Sequence, residues 1–229
     1  DIKDAFPVVS GVSSRVIVTT ATQSIATKCS IPDGHVYVMR TLDEEHSRQL
    51  FLEKASLVCP PPLGLEVIKK CDGLPLALVT TARVLYGNPT EREWADLGKN
   101  LGEELETNEN LASMKHVLVR SYISLGSQEI KTCLLYLGIY PSGRPIRRGS
   151  LIRKWLAEGF INQASTNRSS LEVAVRNFNK LVDGSIIQPI IDVSSSNTVD
   201  TKTCQTHGMM HEFILRKSMC EKFITLLFD

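Results

Sequence analysis

The stretch from residue 71 to residue 78, CDGLPLAL, constrains the fold most because it predicts a sharp corner between two helices. Residues 65–70 form an apolar, helix-like run that ends in two lysines. Gly73 follows at a position where glycine commonly terminates a helix. Pro75 then falls in the first turn of the next helix, where its missing N–H costs little. That second helix is apolar on most sides, so we expect the corner to be buried.

Composition limits the possible functions. With 229 residues and a net charge of +1, the chain can bury a sizeable core, and its overall charge does not favour nucleic acid or anionic membranes. The six cysteines lack the spacing of a metal site, so we expect reduced thiols in a cytoplasmic protein. No long apolar run predicts a membrane segment. The abrupt amphipathic start suggests a piece of a longer protein.

Residues 1–60 alternate between strand-like and helix-like patterns. The β-branched run RVIVTT at 15–20 predicts a buried strand, residues 23–28 a short helix, and HVYVM at 35–39 a second strand. Thr41 is expected to cap the following helix, with Glu44 completing a capping box. Two strands are too few for a stable parallel sheet, so this region is predicted to be part of a larger α/β domain.

The proline run at 60–62 predicts a boundary, and a helical domain is expected over residues 61–125. Trp94 and Leu97 lie three residues apart on one predicted helix. A second helix is indicated by helical spacing of Met114, Val117, Leu118 and Tyr122.

Residues 126–229 predict a winged helix. Helices are expected at 130–137, at 151–159 with a stop at Gly159 after which Phe160 folds back, and at 177–182. A strand at 185–193, interrupted by Pro189, leads into a polar hairpin tip at 194–198. A return strand at 202–205 and a helix at 209–220 complete the pattern. Helices followed by a hairpin and a last helix are typical of this fold.

The order of these motifs resembles the NB-ARC domain of coiled-coil-type NLRs, the nucleotide-binding, leucine-rich-repeat disease resistance proteins of plants. Residues 15–20 are similar to the family strand that ends in Thr-Thr-Arg, and residues 73–77 match its GLPLA signature. Tyr37, Leu42, Leu50 and Phe51 resemble the intervening motif. Residues 133–141 and 151–161 are similar to a motif pair of the coiled-coil subclass. The resemblance implies the remnant of a parallel-sheet P-loop NTPase domain, followed by a helical ARC subdomain and a winged-helix subdomain.

That resemblance implies a nucleotide-dependent switch in an intracellular plant immune receptor. ADP would hold the receptor closed, and ATP with Mg would release the winged helix and permit oligomerisation. The implied partners are an upstream nucleotide-binding segment, a coiled-coil domain and leucine-rich repeats. Nucleic acid is not an expected partner.

The resemblance also implies site residues. Pro75 matches the proline that packs on adenine, with Leu76 beside it, and Thr20 lies in the motif next to the phosphates. The family's phosphate-contacting histidine belongs to a Met-His-Asp motif, for which His207 and His211 are both candidates. We favour His207, because it is expected at a helix N-terminus, where anions are stabilised.

The chain departs from the family in several places. It contains no phosphate loop GxxxxGK[ST] and no acidic Mg-binding motif. Ala21 stands where the family has arginine after Thr-Thr. Gly208 stands where it has the aspartate, whose alteration commonly favours the active state, and we expect this glycine to loosen the helix start.

Two alternatives remain open beside the switch. One is a degenerate NB-ARC that serves as a protein-interaction scaffold without nucleotide control. The other is a winged helix that reads DNA, which a basic cluster suggests. We favour a different interpretation of this cluster, namely a solvated basic surface around Trp155. That basic cluster consists of Arg144, Arg147, Arg148, Arg153 and Lys154. No arrangement of residues predicts an enzyme; the intact receptor would be a very slow ATPase at most.

Overall fold

The computed structural model describes residues 17–30, 34–161, 169–190 and 202–224. The chain divides into two compact units, residues 1–37 and residues 38–229. The three domains expected at 1–60, 61–125 and 126–229 stay a prediction.

The described part of the first unit contains one helix, α1 (Gln23–Ser30), which confirms the helix predicted there. The strands predicted at 15–20 and 35–39 are wrong for the residues described: 17–20 and 35–39 are extended chain outside any sheet, and residues 15 and 16 lie outside the described residues. A strand is stable only when a neighbour satisfies its N–H and C=O groups, and these segments have no such neighbour within the described chain. The predicted remnant of a parallel sheet is therefore not seen in the described part of this region.

Helix α2 (Glu44–Ala55) opens the second unit, and its cap differs from the prediction. The Asp43 side chain accepts a hydrogen bond from the backbone N–H of His46 at 2.8 Å, so the capping box of Thr41 and Glu44 is wrong. The backbone N–H of Leu42 is instead bonded to the carbonyl of Gly73 at 2.9 Å. This bond between distant parts of the chain holds Leu42 outside the helix. The next residue, Asp43, is therefore the N-cap of α2.

The helical segment of the second unit consists of α3 (Pro62–Lys70), α4 (Pro75–Val84), α5 (Glu91–Thr107) and α6 (Ala112–Ser124). Helix α5 begins at a capping box of Thr90 and Glu93. Trp94 packs against Phe51 of α2, with ring centroids 5.8 Å apart. The predicted apolar positions are buried except Val117, which is 45% exposed.

A winged helix follows, as predicted. Helix α7 (Gln128–Leu135) continues into a 3₁₀ turn (Tyr136–Ile139), and β1 (Ile146–Arg147) leads into α8 (Arg148–Ala157). Helix α9 (Ser170–Asp183) precedes β2 (Ile187–Ile190) and β3 (Thr203–Thr206), and α10 (Gly208–Cys220) is last. The three strands are antiparallel in the order β1-β3-β2.

Two details of the winged helix match the sequence expectations. Gly159 has φ +71°, and the Phe160 N–H returns to the Trp155 carbonyl at 3.1 Å, so the chain folds back on α8. Pro189 lies in β2, an outer strand of the sheet as described, where the missing N–H is tolerated. The hairpin tip expected at 194–198 lies outside the described residues.

Among the residues described, no helix is both long and apolar enough to cross a membrane.

Candidate functional site

The corner between α3 and α4 has the geometry that its sequence predicts. Asp72 and Gly73 both adopt left-handed backbone conformations, with φ of 50° and 67°. Pro75 is the first residue of α4. A Cβ on Gly73 would overlap the carbonyl oxygen of Leu42, so only glycine fits this close approach. The corner is therefore fixed both by backbone conformation and by packing against the start of α2.

Pro75 and Leu76 occupy the first turn of α4. Pro75 is exposed and Leu76 is half-buried, whereas Ala77 and Leu78 behind them are fully buried. The turn thus presents an apolar surface on a firmly packed helix. This is compatible with the adenine contact expected for the two residues, which stays a prediction.

His207 is the N-cap residue of α10. Its Nδ1 accepts a hydrogen bond from the backbone N–H of Met209 at 3.3 Å, and the residue is only 9% exposed. Because Nδ1 is the acceptor, the neutral ring carries its proton on Nε2. His207 therefore points an N–H donor away from the helix it caps.

The Nε2 atom of His207 is buried and has no hydrogen-bond partner among the residues described. The nearest charge is the Asp72 carboxylate of the α3–α4 corner, with Oδ2 4.0 Å from Nε2, which is too long for a hydrogen bond. Burial lowers the pKa of His207, while Asp72 acts in the opposite direction. An unpaired buried donor is costly, so this atom is suited to an acceptor such as a phosphate oxygen.

His211, the other candidate, lies one turn further along α10. Its Nε2 bonds the backbone carbonyl of Tyr140 at 2.8 Å, and the residue is 5% exposed. That nitrogen therefore serves the packing of α10 against the 3₁₀ turn. His207 lies beside the α3–α4 corner, whereas Nε2 of His211 is bonded to the 3₁₀ turn.

Gly208 has a steric role that sequence reasoning did not anticipate. A Cβ at this position would overlap the backbone carbonyl of Lys70, the last residue of α3. The expected loosening of the helix start is not observed: α10 begins at Gly208 and is capped by His207. Any side chain at 208, including the aspartate of the related family, would push α10 away from α3.

An ion pair beside this contact also escaped the sequence analysis. The Lys70 ammonium lies 2.7 Å from Glu212 Oε1, and the Glu212 side chain is only 8% exposed. An acidic residue is rarely so buried without a partner. In the sequence, burial of Glu212 is indicated only by its position in a mostly apolar helix. The sequence does not indicate that Lys70 is its partner.

Thr20 belongs to the first unit. It is exposed, and its hydroxyl accepts a hydrogen bond from the Thr22 N–H at 3.0 Å. Its expected nucleotide contact stays a prediction.

The basic cluster is partly engaged in packing. The Arg148 guanidinium lies over the Phe178 ring at 5.3 Å, and the Lys154 ammonium lies over the Tyr140 ring at 5.0 Å. Arg144, Arg147 and Arg153 are exposed. This arrangement favours a solvated surface of the winged helix.

Comparison with known proteins agrees with the fold. Residues 139–214 match the model of the disease resistance protein winged helix domain. The whole chain is 43% identical to disease resistance protein RGA4 of Oryza sativa subsp. japonica and spans 23% of that protein. It is 34% identical over 93% of its length to disease resistance protein Pik-2 of the same plant, covering 21% of it. A putative late blight resistance protein homolog of Solanum demissum is 29% identical over 98% of the chain, which covers 17% of that protein.

The chain thus spans less than a quarter of the curated relatives it matches, and the matched winged helix contains the hairpin, the start of α10 and both candidate histidines. The similarity extends beyond that domain to the α3–α4 corner and the helices around it. Residues 139–214 are thus a winged helix domain of the disease resistance protein family, and the chain is similar to plant disease resistance proteins over its whole length.

Proposed function

We propose that the chain is the nucleotide-responsive segment of a plant immune receptor of the NB-ARC type, and that it acts as a switch and not as an enzyme. The observation that carries this proposal is the buried Nε2–H of His207 beside the α3–α4 corner, which has no partner within the described part of the chain. A ligand with an acceptor group would satisfy this donor. It would then contact the helical segment and the winged helix together.

The residues present fit an adenine nucleotide. His207 would donate from Nε2 to a phosphate oxygen, and Pro75 with Leu76 would form the apolar wall beside the base. Bound ADP or Mg-ATP would supply the negative charge to which the switch responds. Because the sequence contains no phosphate loop, other phosphate contacts must come from a different part of the receptor.

The switch follows from linkage. A ligand that contacts both the corner and the start of α10 stabilises only the arrangement in which these elements meet. We place this segment beside coiled-coil and leucine-rich-repeat domains in a cytoplasmic receptor that oligomerises on activation.

The test is a calorimetric titration of ADP into the full receptor that carries this chain. His207→Asn keeps a capping side chain but withdraws the imidazole donor, so we expect a Kd at least about tenfold weaker than wild type. His116→Ala, on the exposed surface of α6, is the matched control and should bind like wild type. A wild-type receptor with no affinity for ADP or ATP would refute the proposal.

A second candidate is a scaffold that has kept the fold without nucleotide control. The contact of Gly208 with the Lys70 carbonyl favours this scaffold, because the protein's own atoms close the junction between α3 and α10. Its test is Ala21→Arg, which restores the family arginine without the steric overlap that Gly208→Asp would cause. Unchanged nucleotide content and signalling would support the scaffold, and a changed response would contradict it.

A further inference from the structure

One cation connects three helices at the junction between the helical segment and the winged helix. Lys70 ends α3, and its ammonium lies 2.7 Å from the Gly98 carbonyl of α5 and 2.7 Å from Glu212 Oε1 of α10. The Lys70 side chain is 28% exposed and the Glu212 side chain 8%. This pair is shielded from water, unlike an ordinary surface ion pair.

Two glycines allow the helices to approach closely around this pair. Gly208 rests on the Lys70 carbonyl, where a Cβ would overlap. On the other side, a Cβ at Gly102 of α5 would lie 3.1 Å from the Glu212 carbonyl oxygen. The first turns of α10 are thereby held between α3 and α5, with the charged pair between them.

Burial makes the two charges depend on each other. If α10 moved away from α3, Glu212 would separate from Lys70, whereas the bond from the Lys70 ammonium to the Gly98 carbonyl joins α3 to α5 and would remain. If α10 stays but Lys70 is lost, Glu212 is left as a buried, uncompensated charge, which is strongly unfavourable. The junction therefore favours a single arrangement, with both partners present and α10 in place.

We propose that Lys70 and Glu212 form a clamp that holds the winged helix against the helical segment without requiring a nucleotide. The clamp sets the resting position of α10 and with it the position of His207. The effect of the clamp on nucleotide affinity rests on the function proposed above. The existence of the clamp does not depend on that function. A nucleotide that releases the winged helix would have to overcome this pair, which biases the two-state equilibrium towards the closed arrangement.

The clamp is tested by hydrogen–deuterium exchange of the nucleotide-free, 229-residue chain. In Lys70→Met and in Glu212→Gln, we expect amides of residues 208–214 to exchange at least about tenfold faster, with α9 unchanged. Lys69→Met, the exposed neighbouring lysine on α3, is the matched control and should exchange like wild type. Exchange within about twofold of wild type at 208–214 in both variants would overturn the clamp, as would an equal increase throughout α9.

The double variant Lys70→Met/Glu212→Met covers the case in which a single variant does not fold, since it leaves no unpaired charge. Faster exchange at 208–214 in the double variant supports the clamp, and wild-type exchange there overturns it.

Titration of ADP into the full receptor separates the clamp from the proposed switch. If the wild-type receptor binds ADP, Lys70→Met should weaken binding and Lys69→Met should not; equal affinities would refute the regulatory effect. If the wild-type receptor binds no nucleotide, the proposed function fails and the exchange result still decides the clamp.

Discussion

The backbone carbonyl of Lys70 lies against the Cα of Gly208, so closely that a β-carbon at residue 208 would overlap it. This contact brings the end of α3 to the start of α10. It explains why a residue without a side chain stands directly after the capping histidine. Together with the Lys70–Glu212 ion pair and the Asp72–His207 approach, it defines the junction at which the proposed switch would act.

Gly208→Ala is expected to lower the free energy of unfolding by about 1–3 kcal/mol, because the added methyl group forces α10 away from α3. Urea unfolding followed by circular dichroism measures this. Gly149→Ala in α8 is the control: among the residues described, a Cβ there would meet the flexible end of Arg153 alone, at 3.5 Å. It should be neutral or slightly stabilising, since alanine favours helix. Equal effects of the two substitutions would contradict the close contact.

Gly73→Ala should destabilise the chain more than Gly143→Ala. Both glycines have a left-handed backbone, with φ of 67° and 70°, so both substitutions incur about 1–2 kcal/mol of backbone strain. Gly73 alone also faces the Leu42 carbonyl, and its overlap adds about 1–3 kcal/mol. Denaturant midpoints of the two variants measure the difference. A Gly143→Ala variant as unstable as Gly73→Ala would show that strain alone governs the corner.

Asp43→Ala should lower the Tm by about 2–4 °C, because the first turn of α2 loses its side-chain cap. Thr41→Ala should leave the Tm unchanged, since Thr41 is exposed and the N-cap of α2 is Asp43. Differential scanning calorimetry of the two variants decides between these residues. A larger effect at Thr41 would restore the capping box that the sequence suggested.

His207 should make the chain less stable in acid. Burial lowers the pKa of His207 in the folded state below its usual value of 6.5, so the unfolded chain binds the proton more readily. Its contribution to stability is complete above pH 6.5 and is lost as the pH falls through that value towards the lower folded pKa.

Urea unfolding at a series of pH values checks this prediction. His207→Asn should flatten the decline below pH 6.5, because asparagine caps the helix without titrating. His46→Gln is the control of opposite sign: Asp43 raises the pKa of His46, so that residue stabilises the fold at low pH and loses its effect as the pH rises. Identical pH profiles for wild type and His207→Asn would refute the prediction.

The elements set by nearby residues were predictable. Gly73 and Pro75 indicated the corner, and apolar spacing with glycine and polar runs indicated the winged helix. Turn and helix preferences depend on a few consecutive residues, which the sequence shows directly. The strands predicted at 15–20 and 35–39 fail for the opposite reason: β-branched runs favour strands, but a strand needs a paired neighbour, and the described residues provide none.

The sequence by itself determined the corner at Gly73 and Pro75, the order of the winged-helix elements and the cap position of His207. Only the tertiary structure decided which residue caps α2, why residue 208 is glycine, and which cation neutralises Glu212. Each of these features depends on groups that are distant in the chain. The Leu42–Gly73 hydrogen bond decides the cap of α2, the Lys70 carbonyl requires glycine at 208, and the Lys70 ammonium neutralises Glu212. Local preferences carry no information about such contacts, because backbone approach and charge pairing exist only after the helices have packed.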